Sequence, residues 1–213
     1  MQNWTNGGGA ATREGYLEQE FQVGRIAASH NLTNAAPRPA DVIAFWSEAG
    51  PSLWFAKDDA FDRRFRETFM TTYHSACRGE LDDWQWTPGG ALALVLLLDQ
   101  FPRNCFRGTP RMYASDAKAR ETASAAIAAG HDRHIDADLR LFFYLPFAHS
   151  EALADQERSV ALCRDLDENS LAHAEGHRDI VKRFGRFPHR NRILGRETTE
   201  VEQRFLDHGG FAG

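Results

Sequence analysis

Apolar residues recur at every third or fourth position along most of this chain, with little alternation of period two and few β-branched runs. That pattern predicts helix from Pro39 onward and an all-α fold class. Asp41 is placed to cap a short helix carrying Val42, Ile43, Phe45 and Trp46. Asp58 or Asp59 opens a longer one in which Phe61, Phe65, Phe69 and Tyr73 share a face, and Gly79 ends it. Pro88 starts the most hydrophobic stretch, residues 91–99, whose all-round apolar character predicts a central helix that stops at Phe101-Pro102. Ser115 or Asp116 caps an alanine-rich helix ending at Gly130. Asp136 opens an aromatic one interrupted by Pro146, and another runs from Glu151 to about Asp167. Ser170 caps a helix through Ala174, His177 and Val181 to Phe184. Thr199 and Glu202 have capping-box spacing before a last helix closed by Gly209-Gly210. About seven to eight helices with short connectors imply antiparallel helical hairpins.

Residues 1–39 read differently. A glycine-rich start and the break at Ala35-Ala36-Pro37-Arg38-Pro39 predict an N-terminal extension with one helix over residues 13–29, docked or free, before a helical domain over residues 40–213. The net charge of -5 argues against a dedicated nucleic-acid binder. A basic stretch from Arg178 to Arg196 is the one feature that could track phosphates; its plainer reading is a solvated helix face whose inward members pair with acids. The longest apolar run, residues 91–98, falls short of the roughly 20 residues needed to cross a bilayer. Cys77, Cys105 and Cys163 are odd in number and unpaired by spacing, which suits a reducing cytoplasm and predicts neither a disulfide framework nor a thiolate zinc site. No cofactor is expected, and the pattern leaves the oligomeric state open.

The candidate chemistry lies in two similar polar turns, Asp99-Gln100-Phe101-Pro102-Arg103-Asn104 and Gly185-Arg186-Phe187-Pro188-His189-Arg190-Asn191, with Arg196 just beyond the second. Each aromatic-proline pair projects Arg and Asn from a rigid corner. Where the corners meet, guanidinium forks suit a carboxylate or phosphate, so the expected ligand is an anionic small molecule or peptide. The candidate ligand-binding set is Asp99, Gln100, Arg103, Asn104, His149, Glu151, His177, Arg186, His189, Arg190, Asn191 and Arg196. The structural reading has Asp99 and Glu151 satisfying these arginines in a buried ion-pair network that fixes helix register, and such a network can also frame a pocket. The enzymatic alternative is a hydrolase using His149, His177 or His189 with Glu151 for proton transfer. His173 and His177 have the i, i+4 spacing of a metal pair, but no further ligand motif accompanies them, and no metal is expected. His149-Ser150-Glu151 contains triad residue types without a nucleophile elbow. Trp54, Trp84 and Trp86 are expected to staple connectors to the core.

The strings Gly79-Glu80-Leu81-Asp82-Asp83-Trp84, Leu97-Leu98-Asp99-Gln100-Phe101-Pro102-Arg103-Asn104, Arg107-Gly108-Thr109-Pro110 and Leu145-Pro146-Phe147-Ala148-His149-Ser150-Glu151 follow one another along the chain. Together with Phe184-Gly185-Arg186-Phe187-Pro188-His189-Arg190-Asn191 they resemble the bacterial family called domain of unknown function 924, in order from about Ala40 to Phe211. The resemblance implies an all-helical protein with a tetratricopeptide-like right-handed superhelix, and no particular activity. No tetratricopeptide repeat consensus is legible in the residues themselves.

Overall fold

The computed structural model describes residues 37–211, and among these the chain is helical with no strand. The expected helix over residues 13–29 lies outside the described residues. The helices that frame the site and core are α1 (Pro39–Ala49), α2 (Asp59–Arg78), α3 (Pro88–Val95), α4 (Phe101–Cys105), α5 (Asp116–Ala128), α6 (Leu145–Ala148), α7 (Leu153–Cys163), α8 (Glu168–Phe184) and α9 (Glu200–Asp207). Single helical turns occupy many of the connectors.

The every-fourth-residue stripe of α2 forms one side of the core. Phe61, Phe65, Phe69 and Tyr73 are buried, and Phe45 of α1 lies 5.3 Å from the ring of Phe61 and 5.1 Å from that of Phe65. Phe101 extends the same layer, 5.0 Å from Phe65 and 4.8 Å from Tyr73. Each buried ring is worth about 1.5–3 kcal/mol against exposure, whereas the Asp58 cap of α2 is worth about 1, so the stripe decides where α2 lies. Trp46 packs edge-on to Phe142 at 5.3 Å, bringing the aromatic stretch after residue 139 onto α1. Helix α3 is enclosed as its composition predicts, every residue from Gly90 to Val95 being buried. A side chain at Gly90 would collide with the Trp84 carbonyl, so glycine sets how closely α3 approaches the preceding turn.

Several boundaries differ from those expected, each for a local reason. The chain stays helical through Phe101-Pro102. Residues Leu96–Gln100 form a π turn in which the Phe101 N–H reaches the Leu96 carbonyl, and α4 continues beyond it. Proline offers no N–H to the carbonyl four residues back, Leu98, and that carbonyl instead accepts the Ser115 hydroxyl at 2.6 Å. Ser115 therefore caps α5 by position only. Asp41 stands at the third position of α1 and accepts the Arg38 backbone N–H, making Arg38 the cap residue. Asp167, not Ser170, caps α8 by accepting the Ser170 N–H at 2.9 Å. The aromatic segment is divided into Ala137–Arg140, Leu141–Phe143 and α6, with Pro146 at the start of α6. Helix α7 begins at Leu153, which leaves Glu151 in a connector. The capping box of α9 forms as its spacing predicts, Glu202 accepting the Thr199 N–H at 2.8 Å.

Ser115→Ala leaves the Leu98 carbonyl buried and unpaired, so urea unfolding is expected to show a loss of about 1–3 kcal/mol. An unchanged midpoint would mean that the proline-freed carbonyl needs no partner.

Candidate functional site

At the first corner, the Asp99 side chain is 1% exposed, receives two hydrogen bonds and makes one ion pair. Gln100 Nε2 donates at 2.7 Å and His149 Nδ1 at 2.9 Å, and Arg103 Nη1 is the charge partner at 3.1 Å. Burial by itself pushes this carboxyl up, but Arg103, His149 and Gln100 outweigh it and hold Asp99 at about 2. His149 is drawn below its ordinary value by burial and then by the Arg103 charge, with Asp99 opposing. Its neutral ring offers Nδ1–H to Asp99, which leaves Nε2 an acceptor. Arg103 forms a bidentate pair with Asp116 of α5 at 2.9 and 3.2 Å and donates to the Asp99 carbonyl at 2.8 Å.

At the second corner, Gly185 ends α8 in the left-handed region, φ 69°. Glu151 accepts the Phe187 N–H at 2.8 Å and pairs with Arg196 through both carboxylate oxygens, at 2.6 and 3.0 Å. Burial opposes its ionisation; the Arg196 bond and the Phe187 N–H prevail and lower its pKa. Arg186 turns elsewhere, to Glu202 of α9 at 2.6 and 2.8 Å, and Asn191 donates to the same carboxylate at 3.3 Å. The Arg186 bonds, against some burial, hold Glu202 at about 2. One carboxylate thus fastens α9 to the second corner while completing its cap.

The connector carrying His149 and Glu151 bridges the two corners, His149 bonding to Asp99 and Glu151 to the Phe187 turn. Between these anchors lies Arg190, only 6% exposed, its guanidinium carbon 4.6 Å from the Tyr113 ring centre and 4.5 Å from that of Phe187. Its Nε has no hydrogen-bond partner, and the side chain makes no ion pair among the described residues. The carboxylates that favour its charge, Asp116 and Glu151, are already bonded to Arg103 and Arg196. Burial, then the neighbouring Arg103 charge, lowers the Arg190 pKa. His177 and His189 stand nearby, each with a buried Nδ1 that lacks a partner. Burial first, then neighbouring cationic groups, takes His177 to about 3 and His189 to about 4. Phe211, 40% exposed, lies across both imidazoles, 4.7 Å from His177 and 5.1 Å from His189.

Asp99, Gln100, Arg103, His149, Glu151, Arg196, Arg190, His177 and His189 therefore form one linked neighbourhood. Asn104 faces away from it and donates to Asp62 of α2 at 3.0 Å; Arg186 and Asn191 face Glu202. Ser150 donates to Asp155 at 2.6 Å rather than to His149. His173 is exposed, and among the described residues no group of three or more His, Cys, Asp or Glu is arranged to hold a metal ion. Sequence reasoning missed Tyr113, Asp116, Glu202 and Phe211. Asp116 and Glu202 stood out only as capping residues, and nothing in the sequence marked Tyr113 or Phe211.

Residues 42–210 match the family described as bacterial protein of unknown function (DUF924). The chain is also similar to the solved structure of a protein of unknown function from Agrobacterium tumefaciens, with a TM-score of 0.79 and 55% sequence identity over 80% of this chain and 97% of that one. No curated protein matches it. The strings that mark the polar corners lie inside the matched region, and the chain belongs to the bacterial DUF924 family.

Proposed function

We propose that the Arg190 neighbourhood recognises a single anionic group, a carboxylate of a small metabolite or of a peptide. The observation that carries this reading is a buried guanidinium whose Nε has no hydrogen-bond partner and whose side chain lacks an ion pair among the described residues. Burying a charge without a direct partner is costly, and a perturbed group of this kind beside other titratable residues is a candidate for ligand contact. The other arginines of the set are each committed to a carboxylate, Arg103 to Asp99 and Asp116, Arg186 to Glu202 and Arg196 to Glu151. One free guanidinium between aromatic faces suits one carboxylate, with neutral His177 and His189 as flanking hydrogen-bonding groups and Phe211 as the cover. Asp99, Gln100, His149 and Glu151 act as the frame. Asn104, Arg186 and Asn191 support that frame from its far sides.

We further propose that this frame is carried by a tetratricopeptide-like right-handed stack of antiparallel hairpins. The short connector between α7 and α8, which pack on each other, supports that arrangement. The three free thiols and the lack, among described residues, of a helix long and apolar enough to cross a membrane support a cytoplasmic setting. The hydrolase alternative rests on His149, whose Nδ1 is held by Asp99, because His177 and His189, held near 3 and 4, are weak bases.

Two outcomes test this account. In thermal unfolding at constant ionic strength, acetate or N-acetylglycine is expected to stabilise the protein. Arg190→Met is expected to abolish that response while raising the ligand-free stability by about 1 kcal/mol, because an uncompensated buried charge is replaced by an apolar chain that still packs on the rings. A large loss of ligand-free stability in Arg190→Met would make the arginine structural. The second outcome concerns pH. His177 and His189 are protonated near 6.5 in the unfolded chain but only near 3 and 4 when folded, so the stability tied to their neutral forms is complete above about 6.5 and is lost as pH falls. Urea titrations between about pH 6 and 5 are expected to show an unfolding free energy falling by about 1.4 kcal/mol per pH unit for each of these imidazoles. His189→Gln removes one share of that slope, and a flat profile would contradict the burial of neutral rings.

A further inference from the structure

The first corner has a second face. Arg103 looks toward Arg190, while the next residue, Asn104, looks into an open cleft of about 310 Å³ between the start of α2 and the end of α4. Volumes near this size are at the small end of ordinary ligand sites. Its floor is fixed: Asn104 is 5% exposed and bonds to Asp62, and Arg107 grips the same carboxylate through Nε at 2.6 Å and Nη2 at 3.2 Å while donating to the Ala56 carbonyl at 3.1 Å.

This capture of Asp62 changes the charge of the helix beside it. On α2, Asp59 with Arg63 and Asp62 with Arg66 have the i, i+4 spacing at which opposite charges normally pair. Neither pair forms. Asp62 is turned to Arg107 and Asn104, and Lys57, Arg63 and Arg66 line the cleft without an ion pair among the described residues. Four cations there face two carboxylates, one of them already neutralised by Arg107, in a chain of net charge -5. Arg66 is further positioned with its guanidinium carbon 5.8 Å from the Phe106 ring centre.

We propose that this cleft is a second binding site, for a small molecule bearing a phosphate or diphosphate group, with Arg63, Arg66 and Lys57 contacting the phosphate oxygens and the Asn104–Asp62–Arg107 knot forming a rigid floor. The excess of positive charge matches a dianion, whereas the Arg190 neighbourhood offers one guanidinium and suits a monoanion. Guanidinium forks bind phosphate oxygens in pairs, which distinguishes such a site from a diffuse positive surface. The site is independent of the Arg190 reading.

Calorimetric titration with inorganic pyrophosphate at fixed ionic strength tests it. The intact protein is expected to bind. Arg63→Gln combined with Arg66→Gln, both exposed positions, is expected to weaken binding by at least about tenfold, since two charge-assisted contacts are lost. Arg190→Met is expected to bind pyrophosphate as the parent does. A parallel NMR titration of the parent protein is expected to shift the Asn104 side-chain amide and the Arg107 Nε–H, a readout that does not depend on any variant folding. The proposal is overturned if pyrophosphate fails to bind at millimolar concentration, if the double variant binds equally well, or if binding is lost with Arg190→Met instead. A short single-stranded oligonucleotide that binds more tightly than pyrophosphate through the same two arginines would overturn the assignment to a small molecule.

Discussion

An ionised carboxylate buried in the helical domain holds both polar corners in place. Asp99 sits on the most enclosed stretch of the described chain, where burial favours the protonated acid, and stays charged because Gln100 and His149 donate to it and Arg103 pairs with it. Losing Arg103 would break a buried ion pair at a cost of about 3–5 kcal/mol, and losing the neutral donor Gln100 or His149 would cost about 1.5–3 kcal/mol for a hydrogen bond to a charged group. The geometry of those donors then propagates outward. Arg103 must lie along α4 to reach both Asp99 and Asp116, which fixes α5, and His149 must end α6 where it does, which places Glu151 two residues on at the second corner.

The same accounting explains why arginines of similar sequence context differ in role. Arg103, Arg186 and Arg196 each meet a carboxylate and therefore serve as clamps between elements. Arg190 meets aromatic faces instead. Cation-π contact with Tyr113 and Phe187 offsets part of its desolvation but supplies no acceptor for its N–H groups. The histidines beside it stay neutral, so Arg190 is the cation of this neighbourhood that has no carboxylate partner among the described residues. Across α4, the cleft by Asn104 has the opposite character, open and with several cations. Two adjacent residues of one short helix thus face two chemically different environments.

Much of the architecture was legible in the sequence because it follows from local periodicity. The Phe61, Phe65, Phe69 and Tyr73 stripe, the enclosed α3 and the Thr199–Glu202 capping box need only spacing and residue type. The π turn at Leu96–Gln100 was not legible, since the carbonyl freed by Pro102 is satisfied by Ser115, a partner chosen by tertiary packing. The pairing of the arginines was hidden for the same reason. Arg186 and Glu202 are sixteen residues apart, Arg196 and Glu151 forty-five, and no periodic signal selects Glu202 over Glu151 for a given guanidinium. Arg190 stands apart because of what it lacks, and a missing partner leaves no trace in a sequence.

Proton-detected ¹⁵N NMR of the arginine Nε–H groups, followed while acetate is added at constant ionic strength, separates a guanidinium open to a ligand from one locked to a carboxylate. The Arg190 signal is expected to move on titration while that of Arg186, whose Nε–H is bonded to Glu202, stays in place. A stationary Arg190 signal, or equal movement of both, would contradict the division between clamping arginines and one reserved for a ligand.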